Sequence, residues 1–195
     1  MKTTILILAT FFLIACSKND DGPKFSLPPA TQTGENTFGC LIDGQLLIPR
    51  DGSGSFNVHD IGMIFWDGIG NFYEIDVHDF ASEKTASINL HIMGLDSLGE
   101  GQYIVNESNC YDGIDSPNTN NIFCRVWDYE DNIYESYCSF ENSGVIHITK
   151  FDLEKRIVSG TFHCKVVSYD DPTDTIEITE GRFDIKWDHL PSNFP

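Results

Sequence analysis

The feature that most limits what this chain can fold into is an apolar–polar alternation of period two that returns in one segment after another. Tyr73, Ile75 and Val77 fall on one phase and Glu74, Asp76 and His78 on the other, while Ile88, Leu90 and Ile92 oppose Asn89 and His91. The same spacing marks Ile146 and Ile148, then Phe162, Cys164 and Val166, then Phe183, Ile185 and Trp187 against Arg182, Asp184 and Lys186. Successive side chains of a strand leave opposite faces, so each run predicts a strand with one buried and one wet face. No segment carries a sustained 3.6-residue stripe. Turn chemistry separates the runs at Asp43-Gly44, Asp67-Gly68, Ser143-Gly144, Asp170-Asp171-Pro172 and Glu180-Gly181. The expected fold is all-β, an antiparallel β-sandwich of about nine to eleven short strands in two packed sheets. A short helix fits between Asp79 and Lys84.

The first 15 residues differ in composition from everything that follows. Lys2 precedes an apolar run from Ile5 to Ile14, broken at Thr10, and Ala15 stands before Cys16. These are the parts of a secretory leader, too short for the roughly 20 residues of a membrane-spanning helix. Leu13-Ile14-Ala15-Cys16 resembles a lipobox, the signal at which bacterial lipoproteins are lipidated on cysteine and cut before it. The resemblance implies acyl chains on Cys16, and several chains hold a protein to a bilayer where one binds marginally. The alternative is an ordinary cleaved leader that leaves Cys16 a free thiol. Ser17-Lys18-Asn19-Asp20-Asp21 is similar to the short signal by which Bacteroidota-type lipoproteins reach the outer face of the outer membrane. It also reads as the start of a solvated linker. From Ser17 to Glu35 the composition is that of an extended tether, with a reach of at most about 60 Å. The predicted organisation is a leader at 1–15, lipidated Cys16 and flexible tether at 16–36, a β-sandwich-like domain at 37–190 and a tail at 191–195. The location implied is the outer membrane, lipid-anchored, on either face.

Two longer stretches carry a further likeness. Leu27-Pro-Pro-Ala-Thr-Gln-Thr-Gly-Glu-Asn-Thr-Phe-Gly-Cys-Leu-Ile-Asp-Gly-Gln45 opens the domain, and Ile148 to Asp152, Ile157 to Phe162 and Ile178 to Trp187 close it. With Gly101-Gln102-Tyr103 between them, they resemble a family of small Bacteroidota lipoproteins of unknown function. The resemblance implies a β-sandwich-like domain and brings no activity or catalytic residue with it.

The chain has 12 basic and 30 acidic residues, a net charge of −18 that becomes −19 once Lys2 is removed with the leader. Such a surface repels phosphate backbones and anionic head groups, so nucleic acid is not an expected partner and the acyl chains anchor alone. Five cysteines follow Cys16, an odd number for an oxidising compartment. Cys40 and Cys164 share the apolar phase of Phe38, Ile42, Phe162 and Val166, which buries them either as small free hydrophobes or as a core pair. Cys110, Cys124 and Cys138 recur at intervals of fourteen, the first inside the long irregular stretch between Val105 and Asn121. That stretch is the candidate binding loop. A disulfide from Cys110 to Cys124 or Cys138 would staple it to the sheet and contribute about 3 kcal/mol.

Metal chemistry has no local signature. There is no Cys-x-x-Cys or His-Glu-x-x-His. His78, His91, His147 and His163 sit on polar phases and could join Asp76 or Asp79 only if their strands converge. Asp112, Asp115, Asp128, Glu130, Asp131, Asp170, Asp171 and Asp174 are hard ligands without EF-hand order. No metal and no cofactor are expected. Gly52-Ser53-Gly54-Ser55 lacks the spacing of a nucleophile elbow, and with so many acids a carboxylate pair identifies nothing. More telling is Trp127 to Phe140, which interleaves aromatics with acids around a turn near Glu130 to Asn132. Trp127, Tyr129, Tyr134 and Tyr137, with Trp66 beside Asp67-Gly68, form the candidate surface for a glycan, peptide or protein ligand. The competing role for those rings is packing across a strand ladder. The expected function is a non-catalytic binding or display module; the alternatives are a hydrolase acting on an envelope or extracellular polymer and a structural envelope component contacting another protein.

Overall fold

The alternating runs become strands. In the computed structural model, which describes residues 25–52, 60–68, 70–81 and 86–195, ten strands follow one another. They are β1 (Thr37–Ile42), β2 (Gln45–Leu47), β3 (Met63–Gly68), β4 (Phe72–His78), β5 (Ala86–Met93), β6 (Gly101–Val105), β7 (Asn121–Asp128), β8 (Ile133–Asp152), β9 (Ile157–Ser168) and β10 (Thr175–Lys186). One helical turn, α1 (Leu95–Leu98), precedes β6. The leader and Cys16 lie outside the described residues, as do residues 82–84 of the segment that allowed a short helix.

All ten strands belong to one antiparallel sheet in the order β2-β1-β10-β9-β8-β7-β5-β4-β3, with β6 beside the second half of β8. The protein is all-β with the predicted number of strands, and its layers are halves of a single sheet curled into a half-barrel. The curl has a local cause. Register slips occur in β1 between Gly39 and Leu41, in β10 between Ile178 and Gly181, and in β8 between Ser139 and Gly144. These three places lie abreast, beside Phe162 to Val166 of β9. Extra residues in one strand of a pair bend it and increase its twist. Asn142 (φ 58°) and Glu180 (φ 56°) take the left-handed conformation there. A Cβ on Gly144 would stand 2.2 Å from the His163 carbonyl oxygen, so only glycine lets β8 and β9 stay in contact at the bend.

Ser143-Gly144 and Glu180-Gly181, which read as turns, are therefore bulges inside long strands. Asp67-Gly68 likewise closes β3, and the reversal falls after it, where Asn71 has φ 64°. Asp43-Gly44 does turn the chain, with both residues at positive φ, and residues 169–174 link β9 to β10. Past β2 the chain crosses to the opposite edge of the curl. Arg50 N–H donates to the His78 carbonyl (3.1 Å), Phe80 N–H donates to the Arg50 carbonyl (3.0 Å), and the Arg50 guanidinium pairs with Asp79.

One apolar core fills the curl, built from Phe38, Leu47, Ile75, Leu90, Ile122, Ile146, Phe183 and their neighbours. Cys40, Cys124 and Cys164 are part of it as free thiols. Burial pushes all three upward in pKa, Cys124 to about 12. The outer face departs from the simple alternation: Glu74, Asn89, His91, Asn121 and Asp184 occupy wet phases and are nevertheless buried. Two loops cover them. Residues 31–35 lie over Asp184, which accepts from Thr31 Oγ1 (2.6 Å), Ser159 Oγ (2.7 Å) and the Thr33, Gly34 and Glu35 amides. That end of the tether is thus bound to the domain. The tail is held as well, with Phe194 buried and its N–H donating to Asp51 Oδ2 (2.9 Å). Residues 106–120 form the second cover.

Candidate functional site

The strand register lays out the outer face of β3, β4, β5 and β7 in rows. Trp66, Glu74, His91 and Asn121 are successive partners in one row, and Ile64, Asp76, Asn89, Phe123 and Cys138 in the next. The 106–120 loop folds over the first row. It is held by the Cys110–Cys138 disulfide (Cα–Cα 5.4 Å), by Ser108 N–H on the Ser139 carbonyl (2.9 Å) and by Gly113 N–H on Glu74 Oε1 (2.8 Å). Cys110, Phe123 and Cys138 make a small second apolar cluster under it. Beneath the loop, His91 Nδ1 is 2.7 Å from Glu74 Oε1 and His91 Nε2 is 3.1 Å from Met93 Sδ. The Phe72 ring stacks on the imidazole at 4.8 Å. Both polar side-chain atoms of Asn89, and Asn121 Oδ1, are buried without a hydrogen-bond partner among the described residues.

At the far end of the same face lies an open groove of about 230 Å³ between His78, Phe80, Ser87, Arg125 and Tyr134. One wall is the His78–Phe80 stack, with ring centroids 4.8 Å apart and planes 10° from parallel. The other is Tyr134, half exposed, meeting its cross-strand neighbour Trp127 edge to face at 4.9 Å. Arg125 is exposed between them. The groove thus offers two aromatic surfaces and one exposed guanidinium, with buried Asp79, paired with Arg50, also in its lining, on a chain whose net charge is −18.

The residues singled out in the sequence are dispersed. Trp127 and Tyr134 are paired at the groove, and Tyr129 is exposed in the β7–β8 turn. Trp66, 56 % exposed, ends the Glu74 row, three strand spacings and six residues from Trp127, or roughly 20–25 Å at about 4.8 Å per strand and 3.3 Å per residue. Tyr137 does not belong to the ligand surface. It is on the inner phase, 5 % exposed, with its hydroxyl 2.7 Å from both Glu135 and Asp174 carboxylates. Burial, and then those two acceptors, push its phenol far above the ordinary range. Cys124 is no partner for Cys110, because its side chain enters the core while Cys110 and Cys138 lie on the outer face. His147 and His163 are exposed on β8 and β9, away from His78 and His91. Among the described residues no three His, Cys, Asp or Glu converge on a metal position. The turn acids cap backbone instead: Asp128 accepts from Glu130 N–H and Asp171 from Thr173 N–H. Sequence reasoning missed Arg125, Phe80 and the burial of Glu74. Only the phase of Arg125 relative to Trp127 hints at the groove.

Fold and groove together define an all-β, single-sheet half-barrel with a decorated outer face. No family model, curated protein or solved structure matches the chain.

Proposed function

We propose that this chain is a bacterial outer-membrane lipoprotein, held by acyl chains on Cys16, whose curled sheet is a non-catalytic module that binds an acidic glycan in the Tyr134 groove. The observation that carries the ligand class is the pair of aromatic walls flanking exposed Arg125. Ring faces stack on sugar rings, and a guanidinium takes a carboxylate in a two-pronged contact. A cationic peptide, which the acids of Trp127 to Phe140 suggest, would meet Arg125 as a like charge. The lipobox at Leu13 to Cys16 supports the anchoring, and the net charge disfavours any electrostatic attachment to anionic lipid.

Two measurements test the parts separately. Labelled palmitate should enter the wild-type chain in a bacterial host and not Cys16→Ser; equal labelling defeats the anchor. Calorimetric titration with uronate oligosaccharides should give binding that falls at least tenfold in both Arg125→Ala and Tyr134→Ala and is unchanged in Trp66→Ala. Binding insensitive to those changes, or none at all, removes the groove from the assignment.

A further inference from the structure

We propose that the hollow inside the curl, at the end where Asp43-Gly44 turns, is a binding site for a small primary amine with a compact apolar body. The hollow has a volume of about 110 Å³, with walls of Ile42, Leu46 and Ile176 on one side and Ala86, Val126 and Tyr137 on the other. Ala86 and Val126 are register partners on β5 and β7, and both face inward on the phase of Ile88 and Cys124. Ile42 and Tyr137 are buried, whereas Ala86, Val126 and Ile176 pack against the core and keep exposed surface. The core therefore stops short of this end. The hollow borders the groove at Asp79 and Ala86 but lies on the opposite face of the sheet, so its occupant is independent of the glycan reading.

An apolar cavity that packing leaves unfilled stays dry and takes up apolar groups, one of roughly 150 Å³ admitting benzene. The smaller volume here suits a branched body of about four or five carbons. Polar groups select the other end of the ligand. The Tyr137 hydroxyl lies 2.7 Å from both Glu135 Oε2 and Asp174 Oδ2, which puts two carboxylates one hydrogen bond behind the wall. Asp43 is exposed at the mouth. The neighbouring cations are engaged elsewhere: Arg50 pairs with Asp79, Lys165 with Glu177 at 3.6 Å, and Arg125 leaves the outer face. Asp43, Glu135 and Asp174 form no ion pair among the described residues. An ammonium brings three donors and the opposite charge to that rim, and an anionic ligand of the same shape is repelled.

The test uses the full chain with ¹³C-labelled isoleucine, leucine and valine methyl groups, titrated with isopentylamine. Isopentyl alcohol and isovalerate serve as its uncharged and anionic counterparts. The amine should shift the Val126 and Ile176 methyl resonances and leave that of Ile185, at the far end of β10, in place. The alcohol should bind about fivefold more weakly, and isovalerate should shift none of them. Ala86→Leu fills the hollow from its own wall and should weaken amine binding about tenfold with unchanged circular dichroism; Val126→Phe does the same from the next strand and decides the matter if the first variant does not fold. Asp43→Asn, which keeps a residue tolerant of the left-handed turn, should weaken it about threefold. Stationary Val126 and Ile176 methyls at millimolar amine, equal affinity for the alcohol, or full affinity in a folded filled variant would each overturn the site.

Discussion

A carboxylate with no exposed surface persists only where donors replace the water it has lost, and Asp184 collects five. Burial alone would raise its pKa, but the donors from Thr31, Ser159, Gly34 and Glu35 outweigh burial and the net displacement is downward. A carboxyl whose folded value lies below the ordinary value of about 3.9 contributes fully above that value and loses its contribution as pH falls through the folded one. Acid titration of the wild type should therefore show residues 31–35 gaining amide exchange below about pH 4. In Asp184→Asn that acid step should vanish, and Asp184→Ala should lower stability by about 3 kcal/mol in denaturant titrations, since several buried donors lose their acceptor. An unchanged acid limb in Asp184→Asn would show that other carboxylates control it. None of this was legible from the chain. Asp184 sits on the wet phase of Phe183 and Ile185, and the strap that covers it is about 150 positions away in sequence.

At the level of strands and loops, two devices define the shape. The disulfide closes 28 residues of chain, and the entropy removed from the unfolded state corresponds to roughly 3–4 kcal/mol. Cys110→Ser/Cys138→Ser should lose about that much stability while keeping a strand-dominated spectrum, and hydrogen exchange should quicken first at residues 106–120. Uniform quickening across all strands would mean that the loop and sheet unfold as one unit. The bulge line is the second device. Gly144→Ala should cost at least 1–3 kcal/mol, measured by thermal unfolding, because the new methyl meets the His163 carbonyl and Cys164. A neutral Gly144→Ala would show that β8 and β9 can part there freely. Strand existence was legible because Tyr73, Ile75, Val77, Ile88, Leu90 and Ile92 alternate cleanly and are buried. The bulges carry the residue types of turns because the positive φ falls on Asn142 and Glu180 and the close approach of β9 falls on Gly144 and Gly181, demands that a bulge and a turn place on a sequence alike. The phase of Tyr137 was recoverable: Cys138 can reach Cys110 only if Tyr137 points the other way.

For the whole molecule, the net charge of −18 is spread over a single curled sheet with one core, and like charges at that density oppose compaction. Raising ionic strength with a monovalent salt should raise the melting temperature, and a drop would show that ion pairs such as Arg50–Asp79 outweigh the repulsion. That one pair matters for shape, since it bridges the chain after β2 to the end of β4 and brings the two edges of the sheet together.

The strap over Asp184 also decides how the body answers a mechanical load. A tug arriving from the amino-terminal side meets the contact of Phe25 with the Arg50 guanidinium, then the Thr31 to Glu35 latch and then β1, which is flanked by β2 and β10 rather than lying at a rim. The strap and the two strands flanking β1 must then yield before the core is exposed from that side.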